Sequence, residues 1–196
     1  MKSKDWLNRQ KRDFYVKKAK KQGYLSRAAY KLIEIEKKFN LIINSKKILE
    51  FGAAPGGWSQ VALEINPKIE ITAIDILDLK INHPQIKFYK DDFLNFEYHK
   101  KENYYDLILS DIAPNTTGHQ STDHLRIASM LIDIIELLEK VLANNGSFIT
   151  KIWKGSEEKE IINLLKKKFK FVSYFKPDSS RKDSAEIFIV SRNFNN

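Results

Sequence analysis

Cysteine is absent from this chain, which excludes a disulfide framework and any metal held by thiolates. No apolar run approaches the roughly 18 residues that a membrane span needs. Met1-Lys2-Ser3-Lys4 is not followed by the apolar core of a secretory leader. The chain therefore reads as soluble and cytoplasmic, with no membrane partner. The four histidines, His83, His99, His119 and His124, show no ligand spacing, so no metal is expected. There is no internal repeat and no interior linker, and 196 residues suit one domain with a full core.

Acidic charge is scarce in one place only. Residues 1–31 hold eleven Lys and Arg against Asp5 and Asp13, whereas residues 32–196 hold 23 of each sign. The whole net charge of +9 thus lies in an N-terminal arm and the helix that follows it. Such asymmetry points to a polyanionic partner bound through its phosphates. Trp6, Phe14, Tyr15, Tyr24 and Tyr30 are interleaved with these bases. They serve either to stack on unpaired bases or to pack a solubilising tail onto the domain. The arm, residues 1–24, is expected to be partly helical or disordered until bound, and residues 25–196 to form the single domain.

What the chain has in quantity is alternation of strand and helix. Ser26 resembles an N-cap, after which Ala28, Leu32, Ile35 and Phe39 repeat at helical spacing. Strands are expected at 48–52, 69–76, 86–92, 105–111, 147–153, 171–175 and 186–190. Helices are expected at 57–65, 125–142 and 157–168, the second ended by Asn144-Asn145-Gly146. This pattern predicts an α/β fold with a doubly wound, mostly parallel, seven-stranded sheet. The last two strands have no helix between them, so they either pair antiparallel or leave the sheet.

The order turns on residues 46–60. A short apolar strand ends in Gly52-Ala53-Ala54-Pro55-Gly56-Gly57-Trp58, and a helix opens at once. Strand, glycine turn and helix N-terminus make a nucleotide-binding edge. Dinucleotide binders need Gly-x-Gly-x-x-Gly; here Ala54 holds the middle place, and Pro55 stiffens the turn. A ligand with a ribose and no pyrophosphate fits better, and S-adenosylmethionine is the obvious one. Asp75, closing the second strand, is placed to take ribose hydroxyls. Trp58 either walls the pocket or packs the helix. In such a sheet the ligand crevice lies outside the carboxyl ends of the strands, where Gly52, Asp75, Asp92, Asp111 and Lys151 fall. If the final strand is antiparallel, Glu186 begins it on the same edge, and Lys31 can reach that edge from the preceding helix.

These residues resemble the FtsJ/RrmJ family of S-adenosylmethionine-dependent ribosomal RNA ribose 2'-O-methyltransferases. Five segments match in order over nearly the whole chain: residues 26–32, the loop 52–58, Ser110-Asp111-Ile112-Ala113-Pro114-Asn115, Lys151 with Trp153 and Gly155, and 176–186. The resemblance implies a Rossmann-like methyltransferase fold, a uridine of large-subunit ribosomal RNA as substrate, and Lys31, Asp111, Lys151 and Glu186 as the catalytic group. It places Lys151 on the 2'-oxygen and makes residues 52–58, Asp75, Asp92 and Asp111 the cofactor contacts. Whether Lys151 removes the proton or only orients the oxygen stays open, since a free lysine, at a pKa of about 10.4, is a poor base. Ala185 stands where the family commonly has arginine. A monomer is expected, acting on ribosomal RNA within the large subunit. Rival readings are a base N-methyltransferase, another 2'-O-methyltransferase for tRNA or the mRNA cap, and a non-catalytic RNA-binding assembly factor.

Overall fold

The computed structural model describes residues 11–98, 103–112, 120–155, 157–181 and 183–195. Its seven strands are β1 (Lys47–Phe51), β2 (Glu70–Asp75), β3 (Ile86–Lys90), β4 (Tyr105–Ser110), β5 (Leu142–Trp153), β6 (Phe169–Phe175) and β7 (Glu186–Phe194). They form one sheet in the order β3-β2-β1-β4-β5-β7-β6. The first five are parallel, and β7 runs antiparallel between β5 and β6. Among the described residues the helices are α1 (Phe14–Gln22), α2 (Ala28–Phe39), α3 (Gly57–Ile65), α4 (Gln120–Val141) and α5 (Glu158–Lys168).

Side chains alternate along each strand, so the two faces bury different sets. One face sets Ile48, Leu107, Leu109, Ile149 and Phe188 against Ala29, Leu32 and Ile35 of α2 and Val61 and Ala62 of α3. The other sets Leu49, Phe51, Ile108, Phe148 and Ile152 against Ile127, Leu131, Ile134 and Leu138 of α4 and Ile161 and Leu165 of α5.

Three local expectations are corrected. Ser26 is not the cap of α2: Arg27 holds that position in helical conformation with no side-chain cap, and Ser26 Oγ faces Gly57 instead. A Cβ on Gly57 would come within 2.3 Å of that hydroxyl. Helix α4 spans Gln120–Val141 rather than 125–142, because Leu142 is already paired with Tyr105 in the β4–β5 ladder. Asn144-Asn145-Gly146 therefore ends no helix. It forms an excursion inside β5, where Tyr105↔Leu142 jumps to Leu107↔Ser147, and Asn145 takes φ 62°.

The second half of the basic arm is helical and packed on the body. Asp13 caps α1 through Tyr15 N and Val16 N at 3.0 and 3.2 Å, and Gly23 closes it at φ 80°. Tyr15 and Tyr24 each lie against Tyr30, with ring centroids 5.3 and 5.6 Å apart, and Tyr24 donates to Glu64 at 2.7 Å. These tyrosines are thus engaged in packing, while Phe14 stays 67% exposed. Trp6 lies outside the described residues, as do His99, Ala113-Pro114-Asn115 and His119.

Trp58 belongs to the packing as well. Its ring is buried against Phe188, and Nε1 donates to the Ala28 carbonyl at 2.8 Å, tying α3 to the start of α2. Trp58→Phe should cost about 1 kcal/mol of stability by loss of that bond. Cofactor affinity should stay within a factor of about two, since the ring does not reach the cleft; thermal melting and calorimetry on the same samples separate the two effects.

Candidate functional site

The strand order places its reversal between β1 and β4, the point where an open α/β sheet leaves a crevice. A cleft of about 290 Å³ opens there, lined by Gly52, Ala54, Asp75, Asp92 and Asp111 among the expected residues. Ile74, Ile76, Leu77, Asp91, Phe93, Ile112 and Met130 complete the wall. Gly52 holds φ 71°, and a Cβ there would meet the Ile112 backbone at 3.0 Å, so the loop can approach β4 only without a side chain.

The other loop residues do not line this cleft. Ala53 and Trp58 are buried in the core on the α2–α3 face, and Gly57 abuts Ser26. Gly56, at φ 113°, packs towards Ile81 and Leu25, and the Pro55 carbonyl accepts from Lys80 N at 3.0 Å. The motif divides by chemistry: its first half shapes the ligand wall, and its second half seats α3 against the rest of the chain.

Asp75 closes β2 with both oxygens engaged. Oδ2 accepts from Ala54 N and Oδ1 from Leu77 N, each at 2.8 Å, so one carboxylate fixes both loops that flank the cleft. Leu77 and Ile76 are 63% and 61% exposed at its rim. Large apolar side chains held open beside carboxylates suit a flat heterocycle joined to a polar, cationic group.

Two ion pairs stand at the same sheet edge. Lys151 Nζ, on β5, donates to Asp111 Oδ1 and to the Asp111 carbonyl, both at 2.8 Å. Lys31 Nζ, from α2, donates to Glu186 Oε2 at 2.7 Å, and Glu186 Oε1 accepts from Ser180 Oγ at 2.9 Å. All four side chains are 8–20% exposed. Antiparallel pairing makes this possible: Lys151 faces Phe188, Trp153 faces Glu186, and Lys31 Nζ sits 5.6 Å from the Phe188 ring. Burial pushes the Asp111 carboxyl up, but Lys151 and then Lys31 outweigh it and hold the group below the ordinary carboxylate range. Asp111 is therefore ionised, touching Lys151 on one side and the cleft on the other.

Sequence reasoning missed Glu50, whose signal was an acid inside an apolar strand. It is 2% exposed beneath the loop and accepts from Ser59 Oγ at 2.5 Å. Burial pushes its carboxyl up to about 8; Ser59 opposes the rise, and Asp111 and Asp75 add to it. From its ordinary 4.5 up to about 8, the folded chain keeps a proton that the unfolded chain releases. This stability is complete below 4.5 and is lost as pH rises towards 8. Glu50→Gln should flatten the fall of Tm between about pH 5 and pH 8; an unchanged slope would place the titration elsewhere.

Comparison with known proteins agrees with this geometry. The chain is 41% identical over 201 residues to the ribosomal RNA large subunit methyltransferase E of Rickettsia bellii, covering 97% of this chain and 88% of that one. It is 40% identical over 194 residues to the protein of the same name from Zymomonas mobilis, covering 96% and 87%. A crystal structure from Plasmodium falciparum, described as a ribosomal RNA methyltransferase, superposes with a TM-score of 0.75 at 30% identity. That match covers 87% of this chain and 98% of the other. The model of the FtsJ-like methyltransferases matches residues 24–194. With a seven-stranded, mostly parallel sheet and a family model that matches residues 24–194, the chain belongs to the FtsJ-like methyltransferase family.

Proposed function

We propose that this chain is an RNA ribose 2'-O-methyltransferase that uses S-adenosylmethionine and acts on a uridine of large-subunit ribosomal RNA. One observation carries the reading. Asp111 lines the ligand cleft and at the same time holds Lys151, so the cleft and a buried cation share a wall. The names of the Rickettsia and Zymomonas relatives support the substrate class.

The cleft suits the cofactor. Four carboxylates, those of Asp75, Asp91, Asp92 and Asp111, face a ligand that carries an ammonium, a sulfonium and ribose hydroxyls, and the apolar rim accepts its adenine. Bound there, the cofactor supplies an electrophilic methyl group. Gly52 and Ala54 give close backbone approach, Asp75 takes the ribose hydroxyls, and Asp92 lies towards the adenine end.

Lys151 holds the acceptor. It donates two hydrogen bonds to Asp111, which leaves one tetrahedral position on Nζ. In the ammonium that position is an N–H that orients a 2'-oxygen and stabilises charge developing on it. In the neutral amine it is a lone pair that takes the hydroxyl proton. Asp111 fixes the amine in both states. Lys31 and Glu186 hold the neighbouring charge constant, so aligning the acceptor disturbs no solvent shell.

Lys11, Arg12, Lys17, Lys20 and Lys21 are exposed along the α1 segment, and they contact RNA phosphates. In this reading a folded ribosomal subunit supplies part of the specificity, in the cytoplasm and with the enzyme as a monomer. Among the described residues no helix is long and apolar enough to cross a membrane.

The test is transfer of labelled methyl from S-adenosylmethionine to undermethylated large subunits, followed by nucleoside analysis. The expected product is 2'-O-methyluridine, formed faster on subunits than on naked RNA. A base-methylated nucleoside would overturn the chemistry, and transfer only to tRNA or capped mRNA would overturn the substrate.

A further inference from the structure

Asp13 lies outside the cleft and outside both catalytic ion pairs, yet its side chain is nearly closed to solvent. Its side chain is 8% exposed. Oδ1 caps α1, while Oδ2 accepts from Arg27 Nη1 at 2.6 Å and from Arg181 Nε at 3.0 Å. One carboxylate oxygen therefore holds two guanidinium groups that come from positions 154 residues apart in the chain.

Arg27 leads by contacts to Glu186, and Arg181 directly follows Ser180 in the chain. Arg27 stands one helical turn before Lys31, and its Nη2 donates to the Ser179 carbonyl. The next residue, Ser180, donates to Glu186 Oε1, and Glu186 Oε2 accepts from Lys31. Glu34, also on α2, takes the amides of Asp178 and Ser179 at 2.5 and 3.1 Å. The contacts close a ring from Arg27 through Ser179, Ser180, Glu186 and Lys31, and along α2 back to Arg27, to which Asp13 is joined through Oδ2.

We propose that Asp13 is a positioning residue for the Lys31–Glu186 pair, acting through Arg27, Arg181 and the Ser179–Ser180 turn. This rests on the methyl-transfer reading above. Without the carboxylate, two cations a few ångströms apart and poorly hydrated repel each other. Arg27 and Arg181 then separate, the turn moves with them, and Glu186 loses its Ser180 donor. Burial pushes the Asp13 carboxyl up, but Arg181 and Arg27 reverse this and hold it below its ordinary range, so the link persists at working pH. The helix that Asp13 caps carries Lys17, Lys20 and Lys21 on its exposed side, which joins RNA contact mechanically to the pair.

The test uses the full chain with Asp13→Asn, Ser180→Ala and the double variant. Asparagine still caps a helix, so α1 is kept while the charge is removed. Each single change should lower kcat about tenfold, with KM for large subunits and affinity for S-adenosylmethionine within about twofold of wild type. The double variant should be no worse than the poorer single, because both act through one contact. Independently of activity, amide exchange at Ser179 and Ser180 should quicken in Asp13→Asn while β1 and β4 keep wild-type rates. Multiplying effects, an unchanged kcat, or unchanged exchange at those amides would overturn the proposal. If wild type methylates no RNA, the functional reading fails, and the exchange measurement still decides whether Asp13 governs the turn.

Discussion

Lys151→Ala should leave S-adenosylmethionine binding nearly intact and reduce methyl transfer by about 10³-fold or more, the scale of losing a group that handles a proton in the transition state. The lysine contacts the cleft only through Asp111, so its removal touches the cofactor wall indirectly. Asp111 keeps the nearby charge of Lys31, and its side chain is 20% exposed, so water can replace the lost ammonium. The fold should therefore survive. Single-turnover transfer to undermethylated subunits, beside calorimetric titration of the cofactor, measures both quantities. Activity within tenfold of wild type, at unchanged affinity, would remove Lys151 from the chemistry and favour a factor that binds RNA without modifying it.

The second large effect falls on the cofactor. Asp75→Ala removes the acceptor for Ala54 N and for Leu77 N in one step. Hydrogen bonds to a charged group are worth about 1.5–3 kcal/mol each. The two loops they fix form facing walls of the cleft, and the same carboxylate is placed for the ribose. Affinity for S-adenosylmethionine should fall at least about 10²-fold. Asp75→Asn retains one acceptor oxygen and should recover part of the loss. Affinity within threefold of wild type in the alanine variant would mean that the loops hold their places without Asp75.

Much of this was readable in the residues because two topological rules did the placing. Ligands gather at the carboxyl ends of parallel strands, so Asp75, Asp92, Asp111 and Lys151 could be assigned to one edge from their positions alone. A strand pair without a crossover helix must run antiparallel if it stays in the sheet, which returns Glu186 to that edge. What was not legible has a common cause. Periodicity reports that a side chain is buried, never against what. Trp58 was equally consistent with wall or core until its contacts with Ala28 and Phe188 placed it in the core. Asp13 read as a minor acid in a basic arm, since nothing local predicts two arginines on one oxygen. Asn144-Asn145-Gly146 read as a helix stop because its preference for left-handed backbone serves a helix end and a strand excursion alike. Ser26 lost its capping role to a neighbour distant in sequence, Gly57.

The insertion of β7 between β5 and β6 also sets a schedule. Lys31 and Glu186 are 155 residues apart in the chain, and the ladder that brings them together is the last to gain its partner. Non-local pairings of this kind form late, because the intervening chain must be ordered before they are rewarded. A nascent chain emerging from the ribosome carries its basic helix and its glycine loop long before it carries β7. It can meet RNA at that stage, but without Glu186 the charge of Lys31 has no partner and the edge is incomplete. The Lys31–Glu186 pair is thus completed, by the order of the strands, only once synthesis has reached β7.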